Sequence, residues 1–261
     1  MPVSWLEMTA IPFNTLLLLE RVQLSWFPGW VNENDLGLAL RANPVVEWFL
    51  RHKCQELCDW LDSVMAQAMD VLLDAHAVRQ AEIRVLQSLD DLITYVHDPA
   101  IYDALEFLKW DSSELTSLVD FSGKTVIDVG SGTGRLALVA AQAAIAVFAV
   151  EPVGNLRYYL KEKASKHGMT NIYPVDGLIT DLPFPDGFAD LTMGGHVFGD
   201  EPNAELSELV RVTKPGGMIV LCPGNDDVDN IRHGFLMAQG FAWERFVEPP
   251  DDRVRKYWKT I

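Results

Sequence analysis

Apolar positions along the chain change their period near residue 122. Before it they recur at helical spacing and glycine is scarce, with only Gly29 and Gly37. After it, short β-branched runs are punctuated by glycines at regular intervals. The first pattern predicts helices at about 12–26, 33–41, 44–62, 64–94 (open to a break) and 99–118. Asn43-Pro44 and Asp98-Pro99 read as helix starts, each a capping side chain followed by proline at the first helical position. Trp26-Phe27-Pro28-Gly29-Trp30 reads as an aromatic-rich turn. The second pattern predicts strands at about 124–129, 146–150, 171–175, 189–194 and 217–222, with helices between them. Two further strand-like runs, at about 241–247 and 254–260, follow. Alternating strands and helices argue for a parallel sheet covered on both faces. Pro174 lies inside the third run and places that strand at a sheet edge, since proline cannot donate to a ladder.

Composition narrows this picture. Apolar residues make up 49% of the 261, which excludes a disordered or fibrous chain. The apolar run Leu16 to Leu19 is far short of the roughly 20 residues a membrane span needs. It has no basic leader and no small-residue cleavage site, so it does not read as a signal peptide. Cys54, Cys58 and Cys222 form no disulfide framework, and the expected compartment is cytoplasmic. Net charge is −16, with 19 acidic and 7 basic residues in positions 1–120 against 18 and 14 in the remainder. Such a surface repels phosphate backbones and disfavours nucleic acid, while a cationic or neutral small molecule is easily accommodated.

The strongest chemical signal follows the first strand. Thr125-Val126-Ile127 ends at Asp128, and Gly130, Ser131, Gly132, Thr133 and Gly134 lead into an apolar helix. Glycines there let the backbone approach a ligand closely, and a helix N-terminus favours electronegative groups. A dinucleotide fingerprint needs glycine three residues after Gly132; Arg135 stands there instead, which disfavours an NAD-dependent oxidoreductase.

Asp128 through Gly134 resembles the first motif of the class I S-adenosylmethionine-dependent methyltransferases, and the match continues in register. The resemblance implies that Glu151, followed by Pro152, holds the two ribose hydroxyls, a task suited to a carboxylate that accepts both hydrogen bonds. It implies that Asp176 accepts from the adenine amino group, with Gly177 beside it and the Leu178 backbone N–H meeting the ring. Gly194 falls where a backbone carbonyl contacts the methionine amino group. Arg211-Val212-Thr213-Lys214-Pro215-Gly216-Gly217 is similar to the turn before the family's fifth strand. The resemblance covers about residues 98–261 and is closest to the small-molecule branch.

His196 follows Gly194-Gly195, beside where the resemblance puts the transferred methyl group. An imidazole there could serve as a base near neutral pH. Alignment alone also suffices for many sulfonium alkylations, which leaves a positioning or packing histidine as the alternative. Asp200 could orient it or simply open the next helix. Cys222 is expected to be a buried strand cysteine rather than a nucleophile. His52, Cys54 and Cys58 on one helix would give two thiolates on one face, but structural zinc wants four ligands, so no metal is expected.

The expected fold is therefore α/β: a doubly wound, seven-stranded, mostly parallel sheet of the Rossmann-like methyltransferase type, its last strand antiparallel. An all-helical N-terminal region at 1–95 precedes a cofactor-binding domain at 96–261. The helical region is expected to be a substrate cap, because Glu248-Pro249-Pro250-Asp251-Asp252 is too short for a lid; a homodimer interface is the alternative. The expected function is methyl transfer from S-adenosylmethionine to a small molecule, with no membrane or nucleic-acid partner. Its rivals are a protein or RNA methyltransferase and a cofactor-binding module without transfer.

Overall fold

The computed structural model describes residues 5–70 and 74–261. Two compact units divide the chain, Met1–Tyr102 and Asp103–Ile261, and each buries its own apolar core.

The first unit is helical. A 3-10 turn at Phe13–Leu18 precedes α1 (Arg21–Ser25), α2 (Glu33–Ala42) and α3 (Pro44–Lys53). A second 3-10 turn at Gln55–Leu57 leads to α4 (Cys58–Ala68), α5 (Ala75–Ser88), α6 (Asp90–His97) and α7 (Pro99–Asp103). Leu16, Leu24, Phe27, Leu36, Leu50 and Leu61 are completely buried in its core. Periodicity overestimates helix length here. The helix expected over 12–26 is interrupted at Leu19–Glu20, where Glu20 and Gln23 form a reciprocal capping box that starts α1. That expected over 44–62 leaves helical geometry at Cys54, with φ −136° and ψ 83°. Arg51, His52 and Lys53 occupy the last turn of α3, where cations suit the helix dipole. Cys54 and Cys58 therefore do not share a helix face: Cys54 is buried between helices and Cys58 opens α4. The 64–94 helix is several helices, and residues 71–73 within it lie outside the described residues. Asp98 accepts from the Ala100 amide as a helix start should, whereas Asn43 donates to Ala39 O and Glu82 and leaves α3 without a side-chain cap.

The second unit begins with short turns rather than the single helix expected over 99–118. A 3-10 turn at Glu106–Lys109 and α8 (Ser113–Thr116) lead to the sheet. Its strands are β1 (Thr125–Val129), β2 (Ala146–Val150), β3 (Ile172–Val175), β4 (Ala189–Gly194), β5 (Thr213–Asp226), β6 (Ala242–Glu248) and β7 (Asp252–Thr260). Helices α9 (Arg135–Ala140), α10 (Gly154–Lys166), α11 (Pro202–Val212) and α12 (Ile231–Ala238) alternate with them. The order is β3-β2-β1-β4-β5-β7-β6. All neighbours are parallel except β7, which runs antiparallel to β5 and β6. Successive residues of β1 feed opposite cores, Val126 into one and Ile127 into the other, so both faces are covered. Pro174 sits in the edge strand β3, as its missing donor requires. Among the described residues no helix is long and apolar enough to cross a membrane.

Chain direction reverses its spread between β1 and β4, so the crevice at their carboxyl ends is the switch point where ligands of open α/β sheets bind. The pairing of Val129 with both Val150 and Gly194 brings the ends of β2, β1 and β4 level.

Candidate functional site

Three buried polar atoms stand at this switch point without a hydrogen-bond partner among the described residues. They are Asp128 Oδ2, Ser131 Oγ and Thr133 Oγ1. Leaving such atoms unpaired costs about 1–3 kcal/mol each, so a cluster of them on one turn points to a polar ligand. Burial pushes the Asp128 carboxyl up to about 8 from its ordinary 3.8, opposed by a backbone N–H from Ala137 and reinforced by the charge of Glu151.

The turn is built around side chains that only glycine can admit. Gly134 has φ +89° and a Cβ there would collide with Leu160 of α10. Gly130 has φ +64°, and a Cβ would lie 2.7 Å from Val197; one on Gly194 would lie 2.6 Å from the same residue. Val197 thus packs against the ends of both β1 and β4, a role the sequence reading did not assign it. The Ser131 amide donates to Val150 O at 3.0 Å and ties the turn to β2.

Glu151, at the end of β2, is buried, and its carboxylate accepts from the Gly132 amide and the Val153 amide, each at 2.9 Å. Two amides thus orient this carboxylate, a group that only accepts and so suits hydroxyl donors. Pro152 follows at the start of the β2–α10 turn. Asp176 stands past the end of β3, largely exposed, and pairs with Arg157 at 3.0 Å. Arg157 also donates to Glu151 O at 2.6 Å, so one guanidinium bridges the ends of β2 and β3. Periodicity had given no reason to select it. Gly177 has no room for a side chain between Val150 and Pro183, and the half-exposed Leu178 turns its N–H toward Asp181 O at 3.4 Å.

The segment before the sheet is drawn to the same end. Asp103 binds Lys163 and Tyr159 of α10, while Lys163 also donates to Thr133 O. Arg135, the residue that breaks the dinucleotide fingerprint, donates to Leu108 O and Trp110 O and stacks over the Trp110 ring at 4.3 Å. These carbonyls are free to accept because the segment is not the continuous helix that was expected. Phe107 is thereby set edge-on to His196, with ring centroids 5.9 Å apart.

His196 itself has φ 54°, and its amide donates to Pro223 O at 2.8 Å. Its ring Nε2 lies 2.8 Å from Glu248 Oε1. Asp200 pairs with Arg232 instead, so it does not orient the histidine. Cys222 is fully buried, and burial pushes its thiol up to about 12, which fits a strand-packing cysteine.

A doubly wound sheet with this order, carrying a polar glycine turn at its switch point, defines the class I methyltransferase fold. Residues 127–221 match the family model described as a methyltransferase domain. The chain is 31% identical over 118 residues to demethylmenaquinone methyltransferase of Geobacillus kaustophilus, which covers 43% of this chain and 50% of the relative. It is 25% identical over 179 residues to an uncharacterized methyltransferase of Anoxybacillus flavithermus, covering 67% of this chain and 79% of that one. The chain thus spans about half the length of the first relative. A crystal structure of a SAM dependent methyltransferase from Aquifex aeolicus shares the fold at a TM-score of 0.50 and 22% identity, covering 63% of this chain and 99% of that one. Residues 127–221 thus match a methyltransferase domain, and the sheet unit has the fold of a SAM dependent methyltransferase. The family's cofactor suits the donor set found here: two hydroxyls and a carboxyl awaiting partners, with a buried carboxylate at the end of β2.

Proposed function

We propose that the protein transfers a methyl group from S-adenosylmethionine to a small molecule. The observation that carries this reading is the cluster of unpartnered Asp128, Ser131 and Thr133 atoms beside the amide-held Glu151 at the switch point. When bound, the cofactor supplies an electrophilic methyl group on a sulfonium sulfur and leaves as the neutral thioether. In this reading Glu151 accepts the ribose hydroxyls, and Asp176 the adenine amino group, swinging from Arg157 to do so. Gly130 to Gly134 approach the amino-acid portion, and the Gly194 carbonyl receives its ammonium. His196 takes the acceptor's proton.

A small acceptor is favoured over RNA by the net charge of −16. The demethylmenaquinone methyltransferase relative makes a quinone-type acceptor the first class to try. We also propose that the helical unit serves acceptor selection rather than cofactor binding, since the polar atoms awaiting a cofactor belong to the sheet unit.

Calorimetry tests the core of this. S-adenosylmethionine and S-adenosylhomocysteine should bind in the micromolar range, roughly −8 kcal/mol, and tritiated methyl should pass to a small-molecule extract. Glu151→Ala should weaken both ligands by about 1.5–3 kcal/mol, the range for hydrogen bonds to a charged group. Tighter binding of NADH, or none of the three binding, would defeat the proposal.

A further inference from the structure

Glu248 ends β6, and its side chain is only 6% exposed. Burying a carboxylate is costly unless it is paired, and its one side-chain partner among the described residues is His196. The topology explains how residues 52 apart meet. Because β7 is antiparallel to both neighbours, β6 runs parallel to β4 and β5, so Glu248 emerges at the same end of the sheet as His196 and the glycine turn.

His196 is held on three sides. Its backbone adopts the left-handed region, which costs a residue with a β-carbon about 1–2 kcal/mol and concentrates at functional sites. The Pro223 carbonyl fixes its amide, and the edge of Phe107 fixes its ring plane. Nε2 faces Glu248, whereas Nδ1 has no hydrogen-bond partner among the described residues, in a side chain 40% exposed.

We infer that Glu248 is the positioning residue that selects the Nε2–H tautomer of His196 and so presents Nδ1 as the base toward the acceptor. This inference rests on the methyl-transfer reading. An ionised carboxylate only accepts, so it requires the proton on the nitrogen facing it, and the lone pair is then left on Nδ1. The step assigned to the chain is one proton transfer. The bond between the acceptor atom and its proton breaks, an N–H bond forms at Nδ1, and the acceptor keeps the electron pair that takes the methyl group. Imidazolium, once formed, is balanced by the Glu248 charge. The other charged or titratable groups around this pair are engaged elsewhere. Lys256 binds Glu114 and Glu244, Arg135 binds backbone carbonyls of 108 and 110, and Cys222 stays a neutral thiol.

The test is long-range proton–nitrogen NMR of the full chain labelled at histidine, with His196→Gln assigning the resonance. The expected result is a neutral His196 protonated on Nε2, with Nδ1 carrying the shift of an unprotonated ring nitrogen. Glu248→Gln, whose amide can either donate or accept, should erase this preference. It should also lower tritiated methyl transfer to the extract by about tenfold or more, while S-adenosylhomocysteine affinity stays within twofold. A wild-type ring protonated on Nδ1 would overturn the inference even if the variant does not fold. An unchanged tautomer and unchanged transfer in Glu248→Gln would do the same. Since the NMR result does not depend on transfer, failure of the methyl-transfer reading shows separately, as absence of cofactor binding.

Discussion

The helical unit buries one apolar core and the sheet unit two, and they treat buried polar groups differently. In the helical core Gln23 is fully buried and donates to Leu92 O at 3.0 Å, and Thr94 donates to Asp90 O at 2.8 Å. These bonds serve the fold. In the sheet unit, Asp128, Ser131 and Thr133 gather unpaired atoms on one turn. One helical atom, Asp90 Oδ1, shares that state, but it stands alone and its companion Oδ2 accepts from the Trp5 amide. What separates a site from a core here is the clustering of unsatisfied atoms at a strand end, because only a ligand can satisfy several at once.

The comparison breaks most decisively by separating the units. A chain beginning at residue 103 retains both cores of the sheet unit. It should bind S-adenosylhomocysteine within about tenfold of the full chain, measured by calorimetry after circular dichroism confirms folding, and should lose methyl transfer altogether. Normal turnover would remove the helical unit from acceptor selection.

Next in size is His196→Gln, which should lower turnover by about 10²–10⁴-fold with cofactor affinity little changed. A variant retaining most of its activity would assign His196 to packing.

These expectations differ in how far the sequence foretold them. The seven strands were legible because β-branched runs end in glycine or a carboxylate, and because Pro174 marked an edge. The glycine turn was legible as spacing. Helix ends were legible only in part: α2 and the start of α3 fall where expected, but no glycine or proline marks the break at Cys54. Residues 99–118 read as a helix, yet the carbonyls of 108 and 110 are taken by Arg135. Among the aromatics of the helical unit, Phe27 is wholly buried and Trp26, Phe49 and Trp60 pack against the core, leaving Trp30 and Trp48 exposed. Glu248 was invisible because its partner lies on a different strand connection, and no local period encodes that meeting.

A buried cysteine in each unit offers a finer comparison. Cys54 and Cys222 are both fully buried, with thiols pushed by burial up to about 11 and about 12. At pH 8 each should react with a thiol reagent only through opening of its own unit. With Cys58 replaced by serine, S-adenosylhomocysteine at 100 times its Kd should slow Cys222 by about 100-fold, or about 2.7 kcal/mol. Cys54 should be unaffected. If both slow together, the units open as one and the comparison loses its energetic basis.

The smallest effect separates a fully buried carboxyl from a half-buried one. Asp128 is raised by burial to about 8 from an ordinary 3.8, so the native protein holds a proton that the unfolded chain has released. Its contribution to stability is complete below pH 4 and is lost as pH climbs to 8, because the unfolded state binds fewer protons across that window. The loss is at most about 1.4 kcal/mol per pH unit, the value of one proton. Asp91 of the helical unit is also raised by burial, though the Leu92 amide and its own work against the rise. Urea melts between pH 5 and pH 8 should show Asp128→Asn removing most of this slope and Asp91→Asn less. Saturating S-adenosylmethionine should flatten the wild-type slope as well, since a cationic ligand beside Asp128 favours its ionised form. A slope unchanged in Asp128→Asn would mean that water reaches this carboxyl, and the unpaired oxygen would then cease to distinguish the sheet unit from the helical one.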